Sequence, residues 1–280
     1  MPPVSETETA RYARERAFHD GRFANDDRAA NRFYEIDASS IAHYLARLDT
    51  FAPDGRVLEY GCGDGADTAV HLARAGARPH AVDLSAVAIE HARERATALG
   101  LADRIEFAVM NAEALDFEDD SFDAVCGTGV LHHLDLDRAC REIARVLRPG
   151  GTALFVEPLG HNPLINLYRR CTPDQRTPDE HPLLMADMAL VGRHFERLDT
   201  TFFSLTPLLT LPLARARGSR RLLDRLERVD RVLFQRVPRL RRLAWIVVLE
   251  LQGPRSALAS SSIGGATGGP SGASGSSRRT

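Results

Sequence analysis

The sequence predicts an α/β protein built on a doubly wound, mostly parallel sheet. Three observations carry this. Between Arg56 and Val156, short apolar runs of strand character alternate with helix-length stretches, the pattern of β-α-β units covered by helices on both faces. The first run, Val57–Tyr60, breaks off into glycines at 61, 63 and 65 and is followed by an alanine-rich stretch, Ala66 to Ala75, so strand, tight turn and helix come in succession. Polar residues (Glu59, Asp83, Asn111, Thr128) stand at the carboxyl ends of the runs, where open α/β sheets bind ligands.

Taken in order, residues 1–10 offer little to bury and read as disordered. Arg11 to Tyr34 is charged and aromatic with an imperfect helical period, an N-terminal extension that Phe18, Phe23, Phe33 and Tyr34 would pack onto the core. Ser39 or Ser40 is placed to N-cap a helix running to Leu48, with Ile41, Tyr44, Leu45 and Leu48 on one face. After strand one and helix 66–75, strand two (Pro79–Val82) ends at Asp83, and Ser85 caps helix 86–98. Strand three (Ile105–Val109) ends at Asn111. Strand four (Phe122–Cys126) leads past His132 and His133 to helix 136–147, which Pro149-Gly150 breaks before strand five (Thr152–Val156).

Prolines at 158, 163, 173, 178 and 182 exclude a long regular helix over 157–182, which reads as a wall of the substrate pocket. Leu183–Phe195 reads as a helix, Arg197–Leu205 as strand six and Leu243–Leu251 as strand seven. The insertion between these strands, 207–240, opens apolar and becomes amphipathic, with Leu222, Leu226, Val229 and Leu233 at helical spacing on one face. From Ala214 to Arg242 there are eleven arginines against three acids. The expected organisation is a tail and cap (1–39), one domain (40–252, core 40–160, pocket loop 157–182, helical lid 207–240) and a disordered Gly/Ser-rich tail (253–280).

Gly61, Gly63 and Ala66 satisfy G-x-G-x-x-(G/A), and Asp83 lies about 20 residues on, so the loop alone also fits a nicotinamide-dependent oxidoreductase. Four further segments narrow the choice: V-D-L-S at 82–85, N-A-E at 111–113, S-F-D-A-V-C-G-T-G-V-L-H-H-L at 121–134 and R-V-L-R-P-G-G at 145–151. With R-V-L-E-Y-G-C-G-D-G-A-D-T at 56–68 they resemble the class I S-adenosylmethionine-dependent methyltransferases of small-molecule type, over residues 40–160. The resemblance implies a Rossmann-like sheet of seven strands with the last antiparallel, a helical cap, and S-adenosylmethionine as cofactor. It assigns Asp83 to the ribose hydroxyls, with Leu84 beside it, and Glu59 to the glycine loop or the methionyl amine. Gly61, Cys62, Gly63 and Gly65 would allow close approach of the amino-acid end, and Tyr34 would reach its carboxylate. Asn111, Ala112 and Glu113 would flank the adenine, with Thr128 at the end of strand four. His133 and His161 are the candidates for a catalytic base, although relatives carry histidine at 132–133 as a mark of the fold; His19 is a weaker third. No acidic cluster resembles the magnesium site of catechol-type methyltransferases, so no metal is expected.

A net charge of -2 excludes a whole-surface nucleic-acid footprint, and strand four ends in C-G-T-G at 126–129, not the Asn/Asp-Pro-Pro-aromatic motif of base-modifying relatives. A small, hydrophobic acceptor is expected. Cys62, Cys126, Cys140 and Cys171 form no C-x-x-C pair, residues 1–20 carry no signal-peptide pattern, and no apolar run approaches the ~20 residues that span a bilayer, so a reduced, cytoplasmic protein is expected. The arginine-rich insertion is open between a pocket lid, a seam in a homo-oligomer, and a helix resting on an anionic membrane to receive a lipid or isoprenoid acceptor. A non-catalytic module that keeps the cofactor site as structure is the remaining alternative.

Overall fold

The computed structural model describes residues 6–24, 32–51, 54–213 and 219–255. Its strands are β1 (Arg56–Tyr60), β2 (Arg78–Asp83), β3 (Glu106–Val109), β4 (Phe122–Thr128), β5 (Leu147–Pro158), β6 (Phe195–Phe203) and β7 (Ile246–Pro254). They form one sheet in the order β3-β2-β1-β4-β5-β7-β6. The first five pair in parallel, and β7 runs antiparallel to both β5 and β6. The reversed β7 between β5 and β6 departs from the 3-2-1-4-5-6 order of dinucleotide-binding folds. This is the doubly wound sheet with a reversed last strand that the sequence predicts.

Alternate residues of each strand enter opposite cores. Leu58, Tyr60 and Val125 join Ile143 and Val146 of α5 (Leu136–Val146) on one face, where Tyr60 meets Phe155 edge-on at 5.9 Å. Val57, Ala124 and Leu154 pack on the other face with Tyr44 and Leu48 of α2 (Arg32–Phe51) and Leu72 of α3 (Asp67–Ala75). α4 (Ala86–Ala98) supplies Ile89, Ala92 and Ala96 to a third cluster beside β2 and β3. Three helix starts follow from capping chemistry. Ser85 Oγ accepts the Ala88 N–H, Asp135 the Arg138 N–H, and Asn162 those of Leu164 and Ile165 at the head of α6 (Pro163–Cys171).

Several boundaries differ from the sequence expectation. Residues 6–10, expected to be disordered, open α1 (Glu6–Ala24), because polar tertiary contacts stabilise a helix with no strong apolar face. α2 begins at Arg32 and runs through Ser39 and Ser40, which are therefore interior residues and cap nothing, and the expected boundary at 39–40 falls inside a helix. Only Asp187–Val191 (α7) is helical in the stretch expected as helix 183–195. Leu183 instead bridges Leu159, and β6 already begins at Phe195. β5 starts at Leu147 and absorbs Pro149-Gly150 as an irregularity in its pairing with β4. β7 continues to Pro254, past the expected start of the tail, and residues 256–280 lie outside the described residues.

The insertion differs most. α8 (Ser219–Arg236) turns Leu223, Leu226, Asp230, Leu233 and Phe234 inward and leaves Leu222 and Val229 40% and 45% exposed. The cause is Asp230, which accepts the N–H groups of Leu205 (2.8 Å) and Thr206 (3.0 Å) and the Thr206 hydroxyl (2.7 Å) at the end of β6. That anchor seats Phe234 against Phe202 at 6.2 Å. Among the described residues, none of 207–240 lines the cavity at the carboxyl ends of the strands. Among the described residues, no helix is long and apolar enough to cross a membrane.

Candidate active site

A cavity of about 1260 Å³ lies over the carboxyl ends of β1, β2 and β4, with α1 across its mouth. Its floor is the turn after β1. Gly61 and Gly63 hold φ of +60° and +59°, and a Cβ at Gly61 would stand 2.7 Å from Val130 Cγ2, so conformation and space both demand glycine there. The turn is fastened to β2. The Cys62 N–H donates to the Val82 carbonyl at 3.1 Å, and the Gly63 N–H donates to Asp83 Oδ2 at 2.9 Å. Asp83 Oδ1 accepts the Ser85 N–H at 2.9 Å. Burial raises the Asp83 carboxyl above its ordinary value, against the lowering effect of those two N–H groups.

Glu59 lies 3% exposed beneath the turn, where its Oε2 accepts the Ala69 N–H at 2.9 Å inside the first turn of α3. It thereby satisfies a donor that Ala66, left-handed and without a capping side chain, does not. Burial pushes the Glu59 carboxyl up to about 8, although the Thr68 hydroxyl and the Ala69 N–H favour the anion. Burial also pushes the Cys62 thiol up, which makes it an apolar wall and not a nucleophile.

Beyond β3, Asn111 Oδ1 accepts the Glu113 N–H at 3.0 Å and shapes the turn that brings Ala112 to the cavity. The fully buried Glu113 carboxylate binds Arg11 Nη2 at 2.6 and 2.7 Å, the Tyr12 hydroxyl at 2.9 Å and the Asp135 N–H at 2.8 Å. It thus locks α1 onto the turn. α1 is further tied by Arg14 to Asp179 (2.9 Å) and by Asp20, which accepts the Ser85 hydroxyl.

The rest of the lining is mixed. Ile41, Val156, Ile165, Tyr168, Trp245 and Ile246 stand with Arg169, Asp174, Gln175, Arg176 and Glu180. Glu157 at the end of β5 accepts the N–H groups of Val130 (2.9 Å) and Leu131 (2.8 Å) and holds His132 Nδ1 at 2.7 Å, fixing the loop after β4. His133 Nδ1 lies 3.2 Å from Glu15 Oε2, and its ring meets His19 edge-on at 5.1 Å. The expectation of no metal rested on the lack of a local acidic cluster in the sequence, whereas the fold sets Glu15 and His19 of α1 against His133.

Glu59, Gly61, Cys62, Gly63, Gly65, Asp83, Leu84, Asn111, Ala112, Glu113, Thr128 and His133 are thus brought to one cavity. His161 is not. It lies outside the lining, and its Nε2 accepts the Met185 N–H at 3.0 Å, which assigns it to loop packing and not to proton transfer. The Tyr34 side chain lies outside the described residues, although α2 includes its backbone. Sequence reasoning missed Arg11, Glu15 and Glu157. Glu157 carried a usable signal, since it ends a strand as Glu59 and Asp83 do. Glu15 and His19 carried a weaker one, their i, i+4 spacing on the cap.

Residues 57–151 match a protein-family model described as Methyltransferase domain. Methyltransferase GfsG of Streptomyces halstedii is 41% identical over 106 residues, 38% of this chain and 38% of that one. The Ubiquinone/menaquinone biosynthesis C-methyltransferase UbiE of Brucella canis is 40% identical over 98 residues, 35% of this chain and 36% of that one. The chain therefore spans less than half the length of the curated relatives it matches. Among solved structures, phosphoethanolamine N-methyltransferase 2 of Haemonchus contortus in complex with S-adenosyl-L-methionine gives a TM-score of 0.55 at 22% identity, covering 76% of this chain and 53% of that one. This is a likeness of fold.

Proposed function

We propose that this chain, whose residues 57–151 match a Methyltransferase domain, is a class I S-adenosylmethionine-dependent methyltransferase that transfers a methyl group to a small, hydrophobic acceptor. The observation that carries this reading is the union, in one cavity, of the glycine turn and Asp83 with the apolar side chains of Ile41, Val156, Ile165, Trp245 and Ile246. When bound, S-adenosylmethionine supplies a methyl group already activated on a sulfonium. The residues present fit it. Each Asp83 oxygen accepts one backbone N–H and keeps a lone pair for a ribose hydroxyl. The turn at Gly61 and Gly63 admits the amino-acid end without a Cβ in its path. Glu59, nearly neutral when alone, becomes the partner of an ammonium group. Ala112 leaves room for a flat ring.

The chain's remaining task is alignment and exclusion of water, which together can contribute ~7–11 kcal/mol in favourable cases. α1 covers the mouth, Trp245, Ile246 and Ile165 hold an apolar acceptor, and the loop fixed by Glu157 sets its distance from the cofactor half. C-methylation in ubiquinone and menaquinone biosynthesis, the activity named for the UbiE relatives, is compatible with such an acceptor.

A second reading places the same chemistry at a membrane surface. It is favoured by the outer face of α8, where Leu222, Val229 and Val232 stand 40–46% exposed among Arg221, Arg225, Arg228 and Arg231. Vesicles of anionic lipid should then co-sediment the protein, and absence of pelleting rejects this reading alone.

The main reading is tested with methyl-labelled S-adenosylmethionine, purified protein and an extract of the source cells, partitioned between organic solvent and water. Label should enter the organic phase with the wild type and not with Asp83→Ala. Label confined to the aqueous phase would contradict the hydrophobic acceptor.

A further inference from the structure

At the cavity wall, Glu15 Oε2 lies 3.2 Å from His133 Nδ1 and 3.5 Å from His19 Nε2. The three donor atoms all fall within 4.8 Å of one another. A tetrahedral ion bound at about 2.1 Å separates its donors by about 3.4 Å, so the two measured edges are those of a coordination polyhedron. The same atoms make poor hydrogen bonds. Both Glu15 oxygens, His133 Nδ1 and the nearby Thr177 Oγ1 are buried without an aligned hydrogen-bond partner. Glu15 is 4% exposed, and its carboxylate is stabilised there, against burial, by His133, His19 and Thr177 through contacts short of ideal hydrogen-bond geometry. A cation held among these groups would bind the carboxylate and both imidazoles at once.

We propose that Glu15, His19 and His133 bind one divalent transition-metal ion, whose open positions face the cavity and take an oxygen donor of the acceptor. Only the identity of that last ligand rests on the methyltransferase reading. Two imidazoles and one carboxylate with vacant positions are a donor set of borderline softness, suited to Zn²⁺, Fe²⁺ or Mn²⁺ more than to Mg²⁺ or Ca²⁺. The site is braced. Glu15 and His19 stand one turn apart on α1, the His19 ring stacks on Phe23 at 5.9 Å and meets Phe18 edge-on at 5.4 Å, and the Arg11–Glu113 pair anchors the helix beside them. A second group, His132, His133 and Glu180, shares His133, but its other members are already engaged. His132 Nδ1 is held by Glu157, and Glu180 by Arg169 at 2.6 Å.

The experiment uses the full chain, freed of any affinity tag and treated with chelator. Zn²⁺ and Mn²⁺ are titrated by calorimetry and Co²⁺ by its visible absorption, without cofactor or acceptor, so a failure of the methyltransferase reading leaves the result intact. One equivalent should bind with an open-site Co²⁺ spectrum, and affinity should fall roughly tenfold or more in Glu15→Gln and in His19→Gln. His161→Gln should bind as the wild type does. Far-ultraviolet circular dichroism and the thermal midpoint establish that each variant is folded, and either of the two ligand variants suffices. No binding at millimolar ion, or equal binding by wild type and the folded ligand variants, would overturn the proposal and leave Glu15 as a hydrogen-bonding brace for His133.

Discussion

Glu59 has the property most dependent on its surroundings. Its carboxyl titrates near 8 in the folded chain against 4.5 in its ordinary state, because burial disfavours the anion. Between those values the folded state binds more protons than the unfolded one, so this group's contribution to stability falls as pH rises through the window and is constant above it. Glu59→Gln cannot ionise and still offers an oxygen to the Ala69 N–H. The ligand-free variant should therefore melt a few degrees above the wild type at pH 9 and close to it at pH 5. An ammonium group beside Glu59 restores the anion, so cofactor binding at pH 7 should release up to one proton. Calorimetry in buffers of different ionisation enthalpy reads this directly, and the dependence should vanish in Glu59→Gln. Gly61→Ala makes a sterically simpler prediction. The substitution forces a left-handed alanine and a 2.7 Å approach to Val130, so it should lower stability by about 1–3 kcal/mol in urea denaturation and weaken cofactor binding with it.

At the scale of elements, α1 and α8 are both held by buried carboxylates that the sequence pattern does not announce. Arg11→Ala removes the cation from a Glu113 side chain with no solvent exposure and should cost about 3–5 kcal/mol, with a matching loss of order in α1 by hydrogen exchange. Asp230→Ala leaves the Leu205 and Thr206 N–H groups without their acceptor and should cost about 1–3 kcal/mol, with faster exchange confined to α8 and the end of β6. These two carboxylates also mark where the sequence was hard to read. The strands were legible because apolar runs ending in Glu59, Asp83 and Asn111 state both their direction and their ligand-facing end. The inner face of α8 was not, because counting leucines at helical spacing selects Leu222 and Val229, whereas the polar anchor at Asp230 rotates the helix. The meeting of Glu15, His19 and His133 depends on where α1 lands, which no local pattern encodes.

For the whole molecule, the cofactor half and the acceptor half belong to different parts of the chain. The first is formed by β1, β2 and the turn after β3, inside the segment that matches the methyltransferase domain. The proposed acceptor half is formed by α1, α2, the 157–182 loop and the start of β7, outside that segment. Equilibrium binding of S-adenosylhomocysteine to the purified chain probes the cofactor half without any acceptor. One site is expected, at least tenfold weaker in Asp83→Ala and indifferent to competing NAD. Binding of NAD in place of S-adenosylhomocysteine, or no binding of either by the folded protein, would contradict it.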